Sequence, residues 1–298
     1  MEIGTFEISE VSVDIRSLAE KIFGSDEIAS MTRICERYGE EEDEVRQYDV
    51  YKIQTRNAAR ILKKASAREV SNYEKYLGAK NFNVPRYYGS HVDGEDLWIV
   101  LECIEGEDLR DMTDELAKAA AESIAAIQNA YWNCPDTERH DAYIKRIEKR
   151  YSFAKNNDTI AKAYKIFLDR QSACPRTMSN GDYFAFNAIH QNGTVYIIDW
   201  GFGGVMPYSL DIARFIAHGT EDKAPFPFYM NDAQKKIFVD RVYELLRTKP
   251  DRERYLYDIK LAVLNEYVEF VEADEDEGSW YLEHAKLLAE EILRHEAV

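Results

Sequence analysis

The apolar positions change period along the chain. Residues 27–56 and 84–104 carry short apolar runs bounded by turns: Val50, Tyr51 and Ile53 flank Lys52, and Leu97-Trp98-Ile99-Val100-Leu101 is continuous. Both stretches read as short strands. Between them, Ala59–Leu77 has the longer period of a helix. After residue 110 helical spacing takes over. Thr113 or Asp114 caps a helix whose Leu116, Ala120, Ile124, Ile127 and Tyr131 share one face. Further helices are expected over 138–154, 159–171, 232–247, 251–272 and 279–296.

One strand pair interrupts the helical half: Ala188-Ile189-His190 and Val195-Tyr196-Ile197-Ile198, joined around Asn192-Gly193. Asn-Gly between apolar strands signals a two-residue hairpin, because both turn positions want φ > 0. With that turn, position 187 faces 198. Asn187 then enters the first strand and Asp199 leaves the second, roughly 5–6 Å apart at the open end. An amide oxygen and a carboxylate converging there suit a hard cation such as Mg²⁺. Five residues before Asn187 lies Asp182, in the loop Ser179-Asn180-Gly181-Asp182-Tyr183. A carboxylate there can accept the proton of an incoming hydroxyl, and Gly181 permits close approach of backbone.

Length and charge narrow the setting. A chain of 298 residues suits one large domain or two lobes with sizeable cores. Its 38 basic and 55 acidic side chains leave a net charge of −17, which excludes a general nucleic-acid or anionic-membrane binder. A cationic partner is compatible with that balance. Cys35, Cys103, Cys134 and Cys174 lie far apart with no C-x-x-C pair, a usage that points to a reducing compartment and no structural zinc. The first residues lack the basic start and apolar core of a signal peptide, and no run approaches the ~20 apolar residues of a membrane helix. A cytoplasmic globular protein is expected, with a boundary near Cys103–Gly106 between parts 1–103 and 104–298.

The segments Asn180-Gly181-Asp182-(four residues)-Asn187 and Ile198-Asp199-Trp200-Gly201 resemble the H-G-D-x-x-x-x-N and I-D-x-G motifs of the aminoglycoside phosphotransferase family, within the protein-kinase-like superfamily. The likeness continues through Tyr208-Ser209-Leu210-Asp211-Ile212-Ala213-Arg214. It spans about residues 20–290, with its specific part at 180–214. It implies an α+β, bilobal protein-kinase-like fold: a small N-terminal antiparallel sheet lobe with one main helix, and a larger, mostly helical C-terminal lobe. It implies Asp182 as catalytic base, Asn187 and Asp199 as magnesium ligands, and Asp211 as a brace of the catalytic loop.

The same resemblance makes Lys52 the strand lysine that holds nucleotide phosphates. Glu69, in Arg68-Glu69-Val70, becomes its helix partner in preference to Glu74. Glu102 (C=O) and Ile104 (N–H) would bind the adenine of ATP, or the base of GTP, through backbone. Three features depart from the family pattern. Asn180 replaces the usual histidine, Phe184 stands where many members have a second one, and no Gly-rich phosphate loop is present. Phe23-Gly24-Ser25-Asp26 is the nearest candidate, and Gly39–Glu44 reads as a solvated turn.

The acceptor is less specified. Glu266 sits beside the apolar face of helix 251–272 (Tyr255, Ile259, Val263, Tyr267, Phe270). The acids continue through Glu269, Glu272, Asp274, Glu275, Asp276 and Glu277, so that residues 261–285 hold eight acids and no Lys or Arg. Such a patch suits a polycation, with Tyr229, Trp280 and Tyr281 available to stack on it. The expected function is ATP/Mg²⁺-dependent O-phosphorylation of a small, cationic, aminoglycoside-type antibiotic, as in a resistance enzyme. A macrolide, a choline-like amino alcohol or another metabolite is the alternative acceptor. A nucleotide-binding module without turnover is the alternative from another class.

Overall fold

The computed structural model describes residues 4–37, 45–78, 80–225, 230–273 and 277–296. Tyr229, the acids Asp274, Glu275 and Asp276, the side chain of Glu277 and the run Gly39–Glu44 lie outside this description. The chain forms two compact units, Met1–Glu105 and Gly106–Val298.

The first unit is built on a six-stranded antiparallel sheet. In chain order its strands are β1 (Gly4–Ile8), β2 (Ile28–Arg37), β3 (Val45–Thr55), β4 (Ala59–Lys64), β5 (Tyr87–Asp93) and β6 (Asp96–Glu102), arranged β1-β2-β3-β4-β6-β5. Directly opposed residues share a face. Tyr51 lies opposite Leu62, and Leu62 opposite Val100. These three, with Met31, Ile53 and Trp98, form an apolar cluster closed by Leu18 and Ala19 of α1 (Val13–Phe23). The other face carries Lys52 opposite Ile61, and Lys63 opposite Val50 and Ile99.

Two differences from the sequence expectation stand out. Among the described residues, a second, six-residue helix, α2 (Ala67–Asn72), accompanies the longer α1 and continues as a π-helical turn through Leu77. Residues 59–64, expected at the start of a helix, are strand β4. Ala, Arg, Leu and Lys favour helix locally, but backbone pairing to β3 and β6 on both sides outweighs that weak preference.

The second unit is mostly helical: α3 (Asp114–Tyr131), α4 (Glu138–Ala154), α5 (Asp158–Gln171), α6 (Ser209–Ile216), α7 (Asp232–Leu245), α8 (Arg252–Glu272) and α9 (Trp280–Glu296). The helices expected after residue 110 are all present, within two residues of their expected ends. Thr113 caps α3 by accepting from Leu116 N, and Ala120, Ile124 and Ile127 are fully buried. One core cluster gathers α4, α5, α8 and α9 around Ile147, Phe167, Leu261, Leu264 and Ile292.

Two short strand pairs lie among these helices. β9 (Ala188–Gln191) and β10 (Thr194–Ile197) form the expected hairpin, with Asn192 and Gly193 at φ 50° and 82°. β8 (Arg176–Ser179) pairs antiparallel with β11 (Gly204–Pro207). β7 (Glu107–Asp108) adds to β9.

Leu62 is wholly enclosed in the core of the first unit. Leu62→Ala is expected to cost about 2–5 kcal/mol, read as a lowered denaturant midpoint with unchanged slope.

Candidate active site in the second unit

The two strand pairs determine where the chemistry-bearing loops lie. β8 and β11 set Ser179 opposite Gly204, while Ile198 N donates to Asn187 O at 2.9 Å, one step beyond the last rung of the β9–β10 hairpin. Residues 180–187 and 198–203 are therefore tied together at both ends. Gly181, at φ +78°, passes so close that a Cβ there would lie 2.6 Å from Phe202 O. Only glycine meets both demands without strain.

Asp211, in the first turn of α6, secures this loop. Its fully buried carboxylate accepts from Asn180 N at 2.7 Å and from Gly181 N at 2.9 Å. Burial pushes its pKa up, and these N–H donors oppose the shift. The bracing position expected of Asp211 is what the structure shows. Asn180, in place of the family's histidine, still holds backbone: its Nδ2 donates to Ile198 O and Asp199 O, both at 3.0 Å, and its Oδ1 accepts from Asp182 N at 3.1 Å.

The structure brings Asp182 and Asn187 together. Asn187 Nδ2 donates to Asp182 O at 2.8 Å and to Asp182 Oδ2 at 3.1 Å. Because the amide nitrogen is occupied in this way, Oδ1 is the Asn187 atom left to meet a cation. Asp199 follows Ile198 directly, in the left-handed region at φ 53°, which Asp tolerates better than most residues. Burial lifts the Asp182 pKa to about 6, against the opposing pull of Arg214, and the neighbouring Asp199 charge adds to the rise. Two hard oxygen donors beside a partly buried carboxylate fit a magnesium ion carrying phosphate.

The expected acceptor carboxylates are placed differently. Glu266, Glu269 and Glu272 on α8 meet arginines of their own unit. Arg214 Nε lies 3.1 Å from Glu266 Oε2, and Arg214 Nη2 donates to Glu269 Oε1 at 3.0 Å. Arg150 Nη1 lies 2.8 Å from Glu269 Oε2, and Arg150 Nε donates to Glu272 Oε2 at 2.7 Å. This corrects the expectation of an unneutralised patch: the sequence shows no basic residue within 261–285, but folding delivers arginines from α4 and α6. The Arg214 ring partner is Phe184, with the guanidinium 4.9 Å from the ring centroid. Trp280 and Tyr281 are buried, and Tyr281 stacks on Phe270 and bonds His218 Nδ1 at 2.7 Å. They are core residues.

In the first unit Lys52 and Glu69 are not partners, which corrects the expected pair. Lys52 Nζ donates to Glu7 Oε1 at 3.1 Å and lies 3.7 Å from Glu105, so its pKa is raised, chiefly by the Glu7 bond. Glu69, almost wholly buried, accepts from Lys63 Nζ at 2.8 Å. Ser66 caps α2 by accepting from Glu69 N, so the first turn of the helix presents Glu69 to the Lys63 side of the sheet. Glu74, the competing residue, accepts from Tyr87 OH at 3.2 Å. The signal for Lys63 was present in the sequence as alternation in Ile61-Leu62-Lys63, but reading 59–77 as one helix concealed it. Glu102 ends β6, where its side chain accepts from Arg86 N at 3.2 Å; Ile104, buried, lies in the irregular stretch after it.

Among solved structures, the chain is similar to a thermostable mutant of aminoglycoside phosphotransferase APH(4)-Ia in complex with ADP and hygromycin B. The two share 15% identity over 95% of this chain and 98% of that one, with a TM-score of 0.56. It is similar to Plasmodium vivax ethanolamine kinase at 11% identity, 84% and 78% coverage and TM-score 0.54. An amicoumacin kinase in complex with AMP-PNP, Ca²⁺ and its ligand gives 12%, 82% and 84%, and 0.54. These likenesses establish the fold of small-molecule kinases: an N-terminal antiparallel sheet followed by a mostly helical part. A comparison with curated protein sequences gives no match. The sequence profile of the phosphotransferase enzyme family matches residues 45–246. The chain belongs to that family and is a small-molecule phosphotransferase.

Glu266 is fully buried, and burial raises its pKa to about 7 despite Arg214 beside it. Glu269, held by Arg214 and Arg150 together, is pulled down although burial opposes this. A carboxyl whose folded pKa exceeds its unfolded value weakens the fold as it ionises. The penalty is absent below about pH 4.5 and complete above about pH 7. Glu266→Gln should therefore gain thermal stability relative to the native protein as pH rises from 4.5 to 8. Melting curves across that range check this, and parallel pH profiles would refute it.

Proposed function

We propose that the chain is an ATP- and Mg²⁺-dependent O-phosphotransferase that moves the γ-phosphoryl group of the nucleotide to a hydroxyl of a small molecule. The observation that carries this reading is the trio Asp182, Asn187 and Asp199 on two loops pinned side by side, with the Asp182 carboxylate oriented by Asn187. In the proposed step the acceptor oxygen bonds to the γ-phosphorus and the bond to the β–γ bridging oxygen breaks, so that ADP leaves. The hydroxyl proton passes to Asp182, which a pKa of about 6 leaves mostly ionised at neutral pH. Asn187 Oδ1 and the Asp199 carboxylate are the residues that would hold the metal, which when bound neutralises phosphate charge.

In the first unit Lys63, held by buried Glu69, takes the role that resemblance had placed on Lys52: a fixed cation for nucleotide phosphate. The Glu102 C=O and Ile104 N–H remain the proposed contacts to the base of ATP or GTP. No helix among the described residues is long and apolar enough to cross a membrane, and we place the enzyme in the cytoplasm.

The acceptor class follows from the arginines. A polycationic aminoglycoside needs several carboxylates not already neutralised, and Glu266, Glu269 and Glu272 are bound to Arg214 and Arg150. That observation favours an acceptor with one positive charge or none, such as an amino alcohol or a sugar derivative, over an aminoglycoside-type drug. ATP consumption measured with ethanolamine, choline, a fructosamine, hygromycin B and a macrolide separates these readings. Stimulation by hygromycin B alone would restore the polycation, and nucleotide binding without transfer to any acceptor would favour the non-catalytic module.

Two variants test the chemistry itself. Asp182→Asn should keep the fold and reduce turnover by roughly 10²–10⁴-fold, with AMP-PNP still bound. Lys63→Met should weaken magnesium AMP-PNP binding by about 10-fold or more, the worth of a charge-assisted bond, and by far more than Lys52→Met, as titration calorimetry would show.

A further inference from the structure

Arg214 has no part in the proposed chemical step, yet among the described residues it is the cation paired with the proposed base. Its side chain is almost wholly buried, and each guanidinium nitrogen meets a different carboxylate: Nη1 Asp182 at 3.5 Å, Nε Glu266 at 3.1 Å and Nη2 Glu269 at 3.0 Å. Phe184 packs against the plane of the group. Glu269 is shared with Arg150, which in turn holds Glu272 and Asn265. Charges therefore alternate from the loop through α6 and α8 to α4. Arg146 stands 3.9 Å from Glu269, at the outer side of the group.

This arrangement differs from a plain structural ion pair in one respect. Glu266 and Glu269 both meet this one arginine, and both belong to a single helix. They fix Arg214 from behind, on Nε and Nη2, leaving Nη1 directed at Asp182. Of the Asp182 carboxylate oxygens, Oδ2 accepts from Asn187 and Oδ1 faces Arg214. One hydrogen bond at Oδ2 and the guanidinium charge 3.5 Å from Oδ1 together bias the carboxylate against turning about its Cβ–Cγ bond, and proton abstraction depends on that orientation. The buried carboxyl of Glu266 forms no well-aligned hydrogen bond at either oxygen. Burying such a group is costly unless a charge faces it, and among the described residues the cation in ion-pair contact with it is Arg214.

We propose that Arg214 is a positioning residue for phosphoryl transfer: anchored by Glu266 and Glu269 of α8, it holds the Asp182 carboxylate in its working orientation. Glu266 and Glu269 then serve the base through Arg214 and do not grip the acceptor. The proposal rests on Asp182 being the base, and the test is arranged so that the two can fail separately.

Removing Arg214 alone strands buried carboxylates, so R214Q can fail to fold; R214M/E266M removes the ion pair as a unit and replaces it with apolar groups of similar size. These two variants, R214K and D182N are compared by thermal melting, by binding of magnesium AMP-PNP, and by magnesium-ATP turnover with water or a stimulating panel compound. In R214M/E266M, binding of AMP-PNP should stay within about threefold of native while turnover falls roughly 100-fold. R214K, which keeps one charge, should recover at least a tenth of native turnover. Introducing D182N should raise the melting temperature more in R214M/E266M than in the native background, because only there does it remove a carboxylate without its arginine. Equal shifts in the two backgrounds, or native-like turnover in R214M/E266M while D182N is inactive, overturn the positioning role alone. A native protein without turnover, or with turnover that survives D182N, overturns the base assignment and this role with it.

Discussion

The second unit depends on one buried carboxylate. Asp211 has no access to solvent, and a carboxylate in that position is tolerable only where donors surround it. The donors are the backbone N–H groups of Asn180 and Gly181, two consecutive residues of the loop that carries Asp182. The loop therefore cannot leave Asp211 without stranding a charge, and Asp211 cannot leave α6. Everything nearby is arranged around that joint: the positive φ of Gly181, the contact with Phe202 O and the Asn180 side chain reaching across to residues 198 and 199.

Part of the electrostatics in this unit is internal. A net charge of −17 suggests a protein that faces the world with free carboxylates. Several of those carboxylates are instead buried in an alternating network with Arg214 and Arg150, and in a separate pair Arg170 binds Asp258 at both oxygens, at 2.7 and 2.8 Å. A buried ion pair adds little net stability when formed but costs several kcal/mol when halved, about 3–5 by general experience. Such a network therefore acts as a register device. With the Arg170 pair it keeps α4, α5, α6 and α8 in one relation, and the relation between α6 and α8 is the one that sets Arg214 beside Asp182.

Sheet faces make a comparable selection in the first unit. Alternation along β3 and β4 puts Tyr51, Ile53 and Leu62 under α1 and leaves Lys52 and Lys63 together on the opposite face. Two lysines share that face, and only their neighbours distinguish them. The acid near Lys52 is Glu7 of β1, partly exposed, whereas the acid near Lys63 is Glu69, buried at the start of α2. A buried ion pair is the more rigid of the two, and rigidity is what a phosphate-holding cation requires.

The chain by itself determined the features whose cause is local. Helical periodicity located α3, α4, α5, α7, α8 and α9; Asn192-Gly193 specified a hairpin; that hairpin's register placed Asn187 opposite Ile198 and so beside Asp199. Tertiary structure decided what depends on partners distant in sequence. Residues 59–64 have helix-forming side chains and become a strand because β3 and β6 lie on either side, which is also why Lys63 and not Lys52 reaches Glu69. The acids of 261–285 look unopposed until Arg150 and Arg214, 122 and 55 positions before Glu272 and Glu269, fold against them. Local pattern reports what a segment can form; only packing reports which charge neutralises which, because a Coulomb partner is chosen by distance in space.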